Sequence, residues 1–491
     1  MVLPDPKSTV SEQAARALPG YDPKTARYYD GADLKKELDR VYDVCHTCRL
    51  CFNLCGSFPA LFDAVDSKPN EVAGMTEPEH GKVVDECYQC KMCYVKCPYT
   101  PPHEWAIDFP RLMLRADANR KKKNGIPLRE KLLGAPEVAG EIGHATWPIS
   151  NWMNEVKAHR WLFEKLVGVH REKKLPPFVE EKFEDWFENH HDDQVRQVEE
   201  GKIPPPTKDK VALFWTCYFN WNDPEPAKAT VRVLERNGVD VVGPPQVCCG
   251  MPSLDQGDVD AFLERARENL KVLRPLVDQG RTIVVPQPTC GYVLKSEYVN
   301  LLGGEDAKAV AAKTMDVCEY LMKLDGEGKL DKDFSKMPAG LGAVSYHLPC
   351  HLQAQNIGYK SRDVMRLIPK TRVMVNDKCT AHDGTWAMKT EHFEDSLRLG
   401  KKCFDQVEET EPKVVASDCP LAGIQIRQGT GRQVWHPIQI VDAAYRGVPL
   451  ASPVDPTQKT EVPPPRPRKE DDSLKDVKAL TADDVKKMGH G

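Results

Sequence analysis

Eight of the seventeen cysteines fall into two runs of identical spacing: Cys45, Cys48, Cys51 and Cys55, then Cys87, Cys90, Cys93 and Cys97, the last followed by Pro98. Each run reads C-x2-C-x2-C-x3-C. A cubane 4Fe-4S cluster needs four thiolates around a compact core; such a run supplies three from one wrapped loop, and the fourth comes from elsewhere. In two-cluster ferredoxins the fourth cysteine of each run serves the other cluster. One cluster is therefore expected on Cys45, Cys48, Cys51 and Cys97, and a second on Cys87, Cys90, Cys93 and Cys55. Zinc is the competing ion, but four-cysteine zinc sites usually pair two C-x2-C knuckles across a longer gap. Gly56 stands where a proline often follows the fourth cysteine, and it is not a ligand. The stretch from Gly56 to Glu86 is long for a minimal ferredoxin and points to a relay module built into a larger protein.

The rest of the chain bounds what this module can serve. At 491 residues the sequence is too long for one ordinary core, so two or three domains are expected. Lys plus Arg number 68 against 73 Asp plus Glu, a balance too even to attract nucleic acid. Met1 to Tyr21 lacks a basic start, an apolar run and a small-residue cleavage site, and no apolar stretch has bilayer length, so a cytoplasmic protein is expected, at most peripheral on the inner face of a membrane. Without a secretory signal, that many cysteines argue for metal or redox chemistry rather than structural disulfides.

Residues 1–39 form an N-terminal extension, and 40–106 the ferredoxin-like module with its two 4Fe-4S clusters. From 107 to 200 the sequence reads as a helical connector. Its apolar residues Ile149, Trp152, Met153, Val156, Phe163 and Val167 recur at roughly helical spacing, and the stripe is expected to pack into a core. Lys157, Arg160, Lys165 and Arg171 keep a lipid-facing reading open. A Pro-rich linker follows at 201–210.

Beyond it, short β-branched runs each lead to a cysteine. Val211 to Thr216 runs into Cys217, Val239 to Val242 leads to Cys248 and Cys249, and Thr282 to Val285 leads to Cys290. Helices are expected over 227–236 and 259–277, giving a strand-helix-strand-helix-strand unit with a parallel sheet. The pattern repeats about 130 residues later: Ala343 to His347 into Cys350, Arg372 to Val375 toward Cys379, and Val414 to Ser417 into Cys419. The expected fold is thus α/β plus α, with two similar lobes, 211–340 and 341–448, each gathering its cysteines at the carboxyl edge of its sheet. Cys318 and Cys403 lie in helical text and read as small buried hydrophobes. Residues 449–491, rich in Pro and charge, are expected to lack a fixed fold.

The string Cys248-Cys249-Gly250 between Cys217 and Cys290 resembles the cysteine-rich CCG domain of heterodisulfide reductase catalytic chains, glycolate oxidase iron-sulfur chains and a succinate dehydrogenase component. The second lobe, with Tyr346-His347-Leu348-Pro349-Cys350-His351 and Ser417-Asp418-Cys419, is similar to the CCG-bearing component of anaerobic glycerol-3-phosphate dehydrogenases. The order of parts agrees over 40 to about 447. The resemblance implies an unusual iron-sulfur cluster or, in some lobes, zinc. It also has gaps: Val293 and Ala422 stand where the family often carries a further cysteine, and the second lobe reads Cys379-Thr380-Ala381. The first lobe therefore keeps Cys217, Cys248, Cys249 and Cys290 for a further iron-sulfur cluster. The second keeps three thiols, Cys350, Cys379 and Cys419, for which His382 is placed to complete a zinc set, with His351 as a competing imidazole.

The leading functional expectation is an electron-transfer subunit. A partner dehydrogenase, a flavoprotein or other redox protein, delivers electrons to the two 4Fe-4S clusters, and the CCG centre passes them to a quinone or a protein acceptor. No G-x-G-x-x-G fingerprint or other flavin motif is present, which places hydride chemistry on another chain. The alternative is an enzyme that reduces a disulfide at the CCG cluster, as heterodisulfide reductases imply. A zinc-stiffened scaffold ranks below both, because it leaves two cubanes without purpose.

Overall fold

The computed structural model describes residues 20–206 and 209–465. The amino-terminal module is helical. Asp30 caps the helix Gly31–Cys48 by accepting from Asp33 N, and Arg49 ends it in a left-handed conformation (φ 50°). Helices Ser57–Asp66, Glu77–Asp85 and Phe109–Asn124 pack Val41, Tyr42, Phe58, Leu61, Val83 and Leu112 into one apolar core that also holds Cys55, Cys90 and Cys93.

Two four-stranded sheets follow. The first contains β1 (Lys210–Leu213), β2 (Asp240–Val242), β3 (Thr282–Val285) and β4 (Thr314–Asp316), in the order β2-β1-β3-β4. The second contains β5 (Gly342–His347), β6 (Thr371–Asn376), β7 (Val414–Ser417) and β8 (Val434–Trp435), in the order β6-β5-β7-β8. Every pairing is parallel, with Val211 opposite Thr282 and Val344 opposite Val414. The same strand order in both sheets is the duplication read from the sequence. β4 and β8 are additions to that reading; each is too short to stand out as a β-branched run.

The lobes pack reciprocally. Helix Glu225–Arg236 of the first lies against Pro437–Arg446 of the second, and Val317–Gly326 of the first against Lys360–Arg366 of the second. One continuous apolar core runs through both pairs, and Arg232 Nη2 meets Asp442 Oδ2 at 2.8 Å across the first.

Two expectations change. The connector is helical over Leu128–Leu133, Pro136–Ala145, Ile149–Glu155, Lys157–Val167 and Phe183–Glu199, but its apolar stripe does not enter a core. Ile149 is 61% exposed and Trp152 58%, and Met153 and Phe163 are also exposed, beside exposed Ile142, Trp147, Trp161, Leu162 and Leu166. Helical spacing shows that the apolar residues share a face, not what that face meets. Arg160, by contrast, is buried, donating to the carbonyls of His170, Arg171 and Lys173. At the other end, residues 449–465 lie along the second lobe: Leu450 and Ser452 are buried, Ser452 N donates to Lys413 O, and Val454 bridges Arg432. The remainder of the expected tail, 466–491, lies outside the described residues.

Candidate metal centres

Helix Gly31–Cys48 carries Cys45 and Cys48 one turn apart at its carboxyl end, and the turn that stops it presents Cys51. These three thiols share one small pocket with Cys97, walled by Val44, Leu50, Phe58 and Tyr99. Cys55 lines a second pocket with Cys87, Cys90 and Cys93, walled by Leu54, Tyr88 and Phe109. The fourth cysteine of each run thus lies with the first three of the other. Gln89 and Lys91 take left-handed backbone (φ 54° and 62°), which curls the chain around the second quartet. Burial pushes the Cys87 thiol up to about 11, and burial with neighbouring Cys97 and Cys48 pushes Cys51 up to about 12. Thiols packed this closely resist ionising together, a cost that a cationic iron core offsets. The spacing also bears on the metal. A tetrahedral zinc with bonds of about 2.3 Å holds its sulfurs about 3.8 Å apart. Among the described residues, however, no three thiols have all their sulfurs within 4.8 Å of one another.

In the first lobe, Cys217 begins the helix after β1, Cys248 and Cys249 follow β2, and Cys290 sits on helix Pro288–Tyr292 after β3. Gly250 has φ 94°, and a Cβ there would lie 2.8 Å from Phe262 Cδ2, so the third letter of CCG is fixed by both backbone and space. Cys217 and Cys248 Sγ are 3.7 Å apart. Shared thiol hydrogen bonds from Cys217 and Cys249 hold Cys248 well below its usual range and push those two partners up, so one thiolate is favoured within the set. The loop is clamped from three sides: Tyr298 OH donates to Cys249 O (3.1 Å), Asn269 Nδ2 to Cys248 O (3.2 Å), and Cys248 N to Glu137 Oε1 of the connector (3.1 Å).

In the second lobe, Cys350, Cys379 and Cys419 follow β5, β6 and β7 and converge. Burial raises the Cys350 thiol, with added contributions from Asp383, Cys379 and Cys419. His382 is buried, neither ring nitrogen has a hydrogen-bond partner among the described residues, and burial and then Lys173 keep the ring neutral. The set Cys350, Cys379, His382 and Cys419 is not drawn together to single-ion spacing. His351 has both nitrogens engaged: Nε2 donates to Gln89 O (3.1 Å), and Nδ1 accepts from Thr289 Oγ1 (2.9 Å). Its imidazole is therefore committed to bridging rather than ligation. Cys318 and Cys403 are fully buried, as expected, although Cys318 has Asp316 and Asp418 beside it.

Sequence reasoning missed what joins the centres. Tyr88, inside the second ferredoxin run, puts its hydroxyl 3.8 Å from Cys379 Sγ. His351, next to Cys350, ties Gln89 of that run to Thr289, next to Cys290. These contacts join residues far apart in the chain, so no local pattern announces them.

Comparison with known proteins agrees with this architecture. The cysteine-rich domain CCG matches residues 211–295 and again 344–427, and the citrate utilization protein B Fer4-like domain matches residues 36–123. The chain thus carries two copies of the CCG cysteine-rich domain behind one Fer4-like domain. It is 27% identical over 320 residues to one subunit of the anaerobic glycerol-3-phosphate dehydrogenase of Escherichia coli K12, covering 65% of this chain and 77% of that one. One subunit of the CoM/CoB fumarate reductase of Methanothermobacter marburgensis is 25% identical over 248 residues, 48% of this chain and 46% of its own. Lactate utilization protein A of Geobacillus kaustophilus is 27% identical over 257 residues, 48% of this chain and 99% of its own.

Proposed function

We propose that this protein is the electron-transfer subunit of an oxidoreductase complex. Electrons enter from a partner dehydrogenase, a flavoprotein, and pass through two 4Fe-4S clusters to the CCG lobes and on to a quinone or protein acceptor. The observation that carries the reading is the joint at the second ferredoxin run. Cys87, Cys90 and Cys93 share one surround with Tyr88 and Gln89, and those two residues contact the second-lobe thiol Cys379 and, through His351, the Cys290 segment of the first lobe. Clusters bound there supply one-electron chemistry. The protein's own residues hold the thiols, wall them with apolar side chains and set their distances. Named relatives that are subunits of a dehydrogenase and a reductase support a partner chain.

Cys217, Cys248, Cys249 and Cys290 are the proposed ligands of a further iron-sulfur centre. In the second lobe a zinc ion would need Cys350, Cys379 and Cys419 to draw in, with the unpartnered imidazole of His382 as fourth ligand. The exposed belt from Ile142 to Leu166, with Trp147, Trp152 and Trp161, supports peripheral contact with a membrane surface, where amphipathic aromatic rings settle at headgroup depth. No helix among the described residues is long and apolar enough to cross a membrane. Anaerobic reconstitution with a purified dehydrogenase partner, followed by the rate of cluster reduction, tests the reading; a cluster-loaded protein that no dehydrogenase partner reduces would refute it.

A further inference from the structure

The helix that follows Cys290 is unusual. Val293–Leu302 is wound as a π-helix, with every residue from Val293 to Leu301 buried. Wide turns of this kind are rare and are frequently found at functional sites. Two adjacent side chains on it point to different centres. Tyr298 holds the carbonyl of Cys249, and Glu297 reaches the ferredoxin module.

Glu297 is fully buried, with its Oε1 3.3 Å from Lys91 Nζ and its Oε2 3.7 Å from Arg111 Nε. Lys91, itself 2% exposed, lies between Cys90 and Cys93 and lines the pocket of the second quartet. Its ammonium donates to Gln89 Oε1 (2.8 Å), and Gln89 Nε2 donates to Cys87 Sγ (3.4 Å). A continuous polar chain therefore runs from the first lobe to a thiol of the second quartet: Glu297, Lys91, Gln89, Cys87. Lone buried charges are costly, so each of these ions needs the other. Burial alone would raise the Glu297 carboxyl, yet Lys91 and then Arg111 outweigh it and hold the group below its usual range. The other acids that feel Lys91, Asp255 and Asp383, are both pushed up by burial, Asp255 to about 7, and are weaker counter-ions.

We propose that Glu297 is a positioning residue that sets the reduction potential of the second ferredoxin centre through Lys91 and Gln89. Adding an electron to a cluster adds negative charge, so a nearby cation favours the reduced form, and a carboxylate that neutralises the cation opposes it. Hydrogen bonds to cluster sulfurs and local charge are the levers that tune such potentials. Because Glu297 belongs to the same helix that clamps Cys249, this electrostatic trim is supplied by the first lobe, and the position of that lobe is felt at the second centre.

The inference rests on the reading of Cys55, Cys87, Cys90 and Cys93 as cluster ligands, and one experiment separates the two. Full-length protein is reconstituted anaerobically with iron and sulfide, and its reduced-cluster signals are followed by electron paramagnetic resonance during a redox titration. Glu297→Gln is expected to raise the midpoint of one cluster, Lys91→Gln to lower it, and the double variant to fall between them. Gln89→Leu keeps both charges but removes the donor to Cys87, and is expected to lower the same midpoint. It also covers the case in which a change at Glu297 prevents folding. Opposite-signed shifts of one cluster are a result that a merely structural role does not produce. Unchanged midpoints, or shifts of the same sign in Glu297→Gln and Lys91→Gln, in variants that retain both clusters overturn the inference alone; where Glu297→Gln does not fold, an unshifted midpoint in Lys91→Gln or Gln89→Leu does so. A wild-type protein that takes up no cluster on the second quartet overturns the underlying reading as well.

Discussion

Tyr88 and Cys379 meet at 3.8 Å although 291 positions separate them in the chain, which makes the second ferredoxin run and the second CCG lobe direct neighbours. The same run reaches the first lobe through His351. The two lobes therefore flank one junction instead of following each other along a line.

The first-lobe quartet is expected to be needed for onward transfer but not for loading the ferredoxin module. Cys249→Ser should leave both cubanes reducible while the rate of acceptor reduction falls at least about tenfold, as for loss of a required carrier. Stopped-flow reduction of the clusters, compared with steady-state acceptor turnover, checks this; full turnover in Cys249→Ser would make the lobe structural.

Gly250→Ala is expected to damage the same site without touching a thiol. The residue sits at φ 94°, and the new Cβ would press on Phe262 2.8 Å away, so destabilisation of about 1–3 kcal/mol is expected. Denaturant unfolding and the iron content of the variant, read together, measure it; wild-type values in both would show that the loop does not depend on this geometry.

Metal analysis of the full chain bears on the second lobe. If Cys350, Cys379, Cys419 and His382 close around zinc, about one zinc per chain accompanies the iron and disappears in His382→Ala. Iron-only protein after growth with ample zinc, or zinc retained in His382→Ala, contradicts that assignment.

The exposed connector belt predicts lipid affinity. Cosedimentation with anionic vesicles should weaken severalfold on Trp152→Glu, since a charge at this depth opposes insertion. Equal sedimentation of both proteins would assign the belt to something other than a membrane surface.

Much of this layout was legible because iron-sulfur ligation imposes short, fixed spacings. Cys45 to Cys55 and Cys87 to Cys97 announce themselves, and the runs beginning at Val211, Thr282 and Val414 are β-branched enough to read as strands. Cys318 and Cys403, in helical text, are buried as their surroundings suggested. What the sequence hid depends on distant partners. The face made by Ile149, Trp152 and Met153 has helical period whether it meets a core or solvent. His351 looked like a ligand because only the folded chain brings Gln89 and Thr289 to its two nitrogens. Glu297 gave no signal at all: a glutamate in an apolar helix becomes meaningful once Lys91 is found against it.

The central claim is that the eight ferredoxin cysteines hold two cubanes. Iron quantification with electron paramagnetic resonance on anaerobically reconstituted protein tests it most directly, comparing wild type with Cys90→Ser. About eight irons in this module and two interacting signals on reduction are predicted for wild type, with about four irons lost and one signal remaining in the variant. Zinc in place of iron at these cysteines, or a Cys90→Ser protein with both signals intact, would contradict the account.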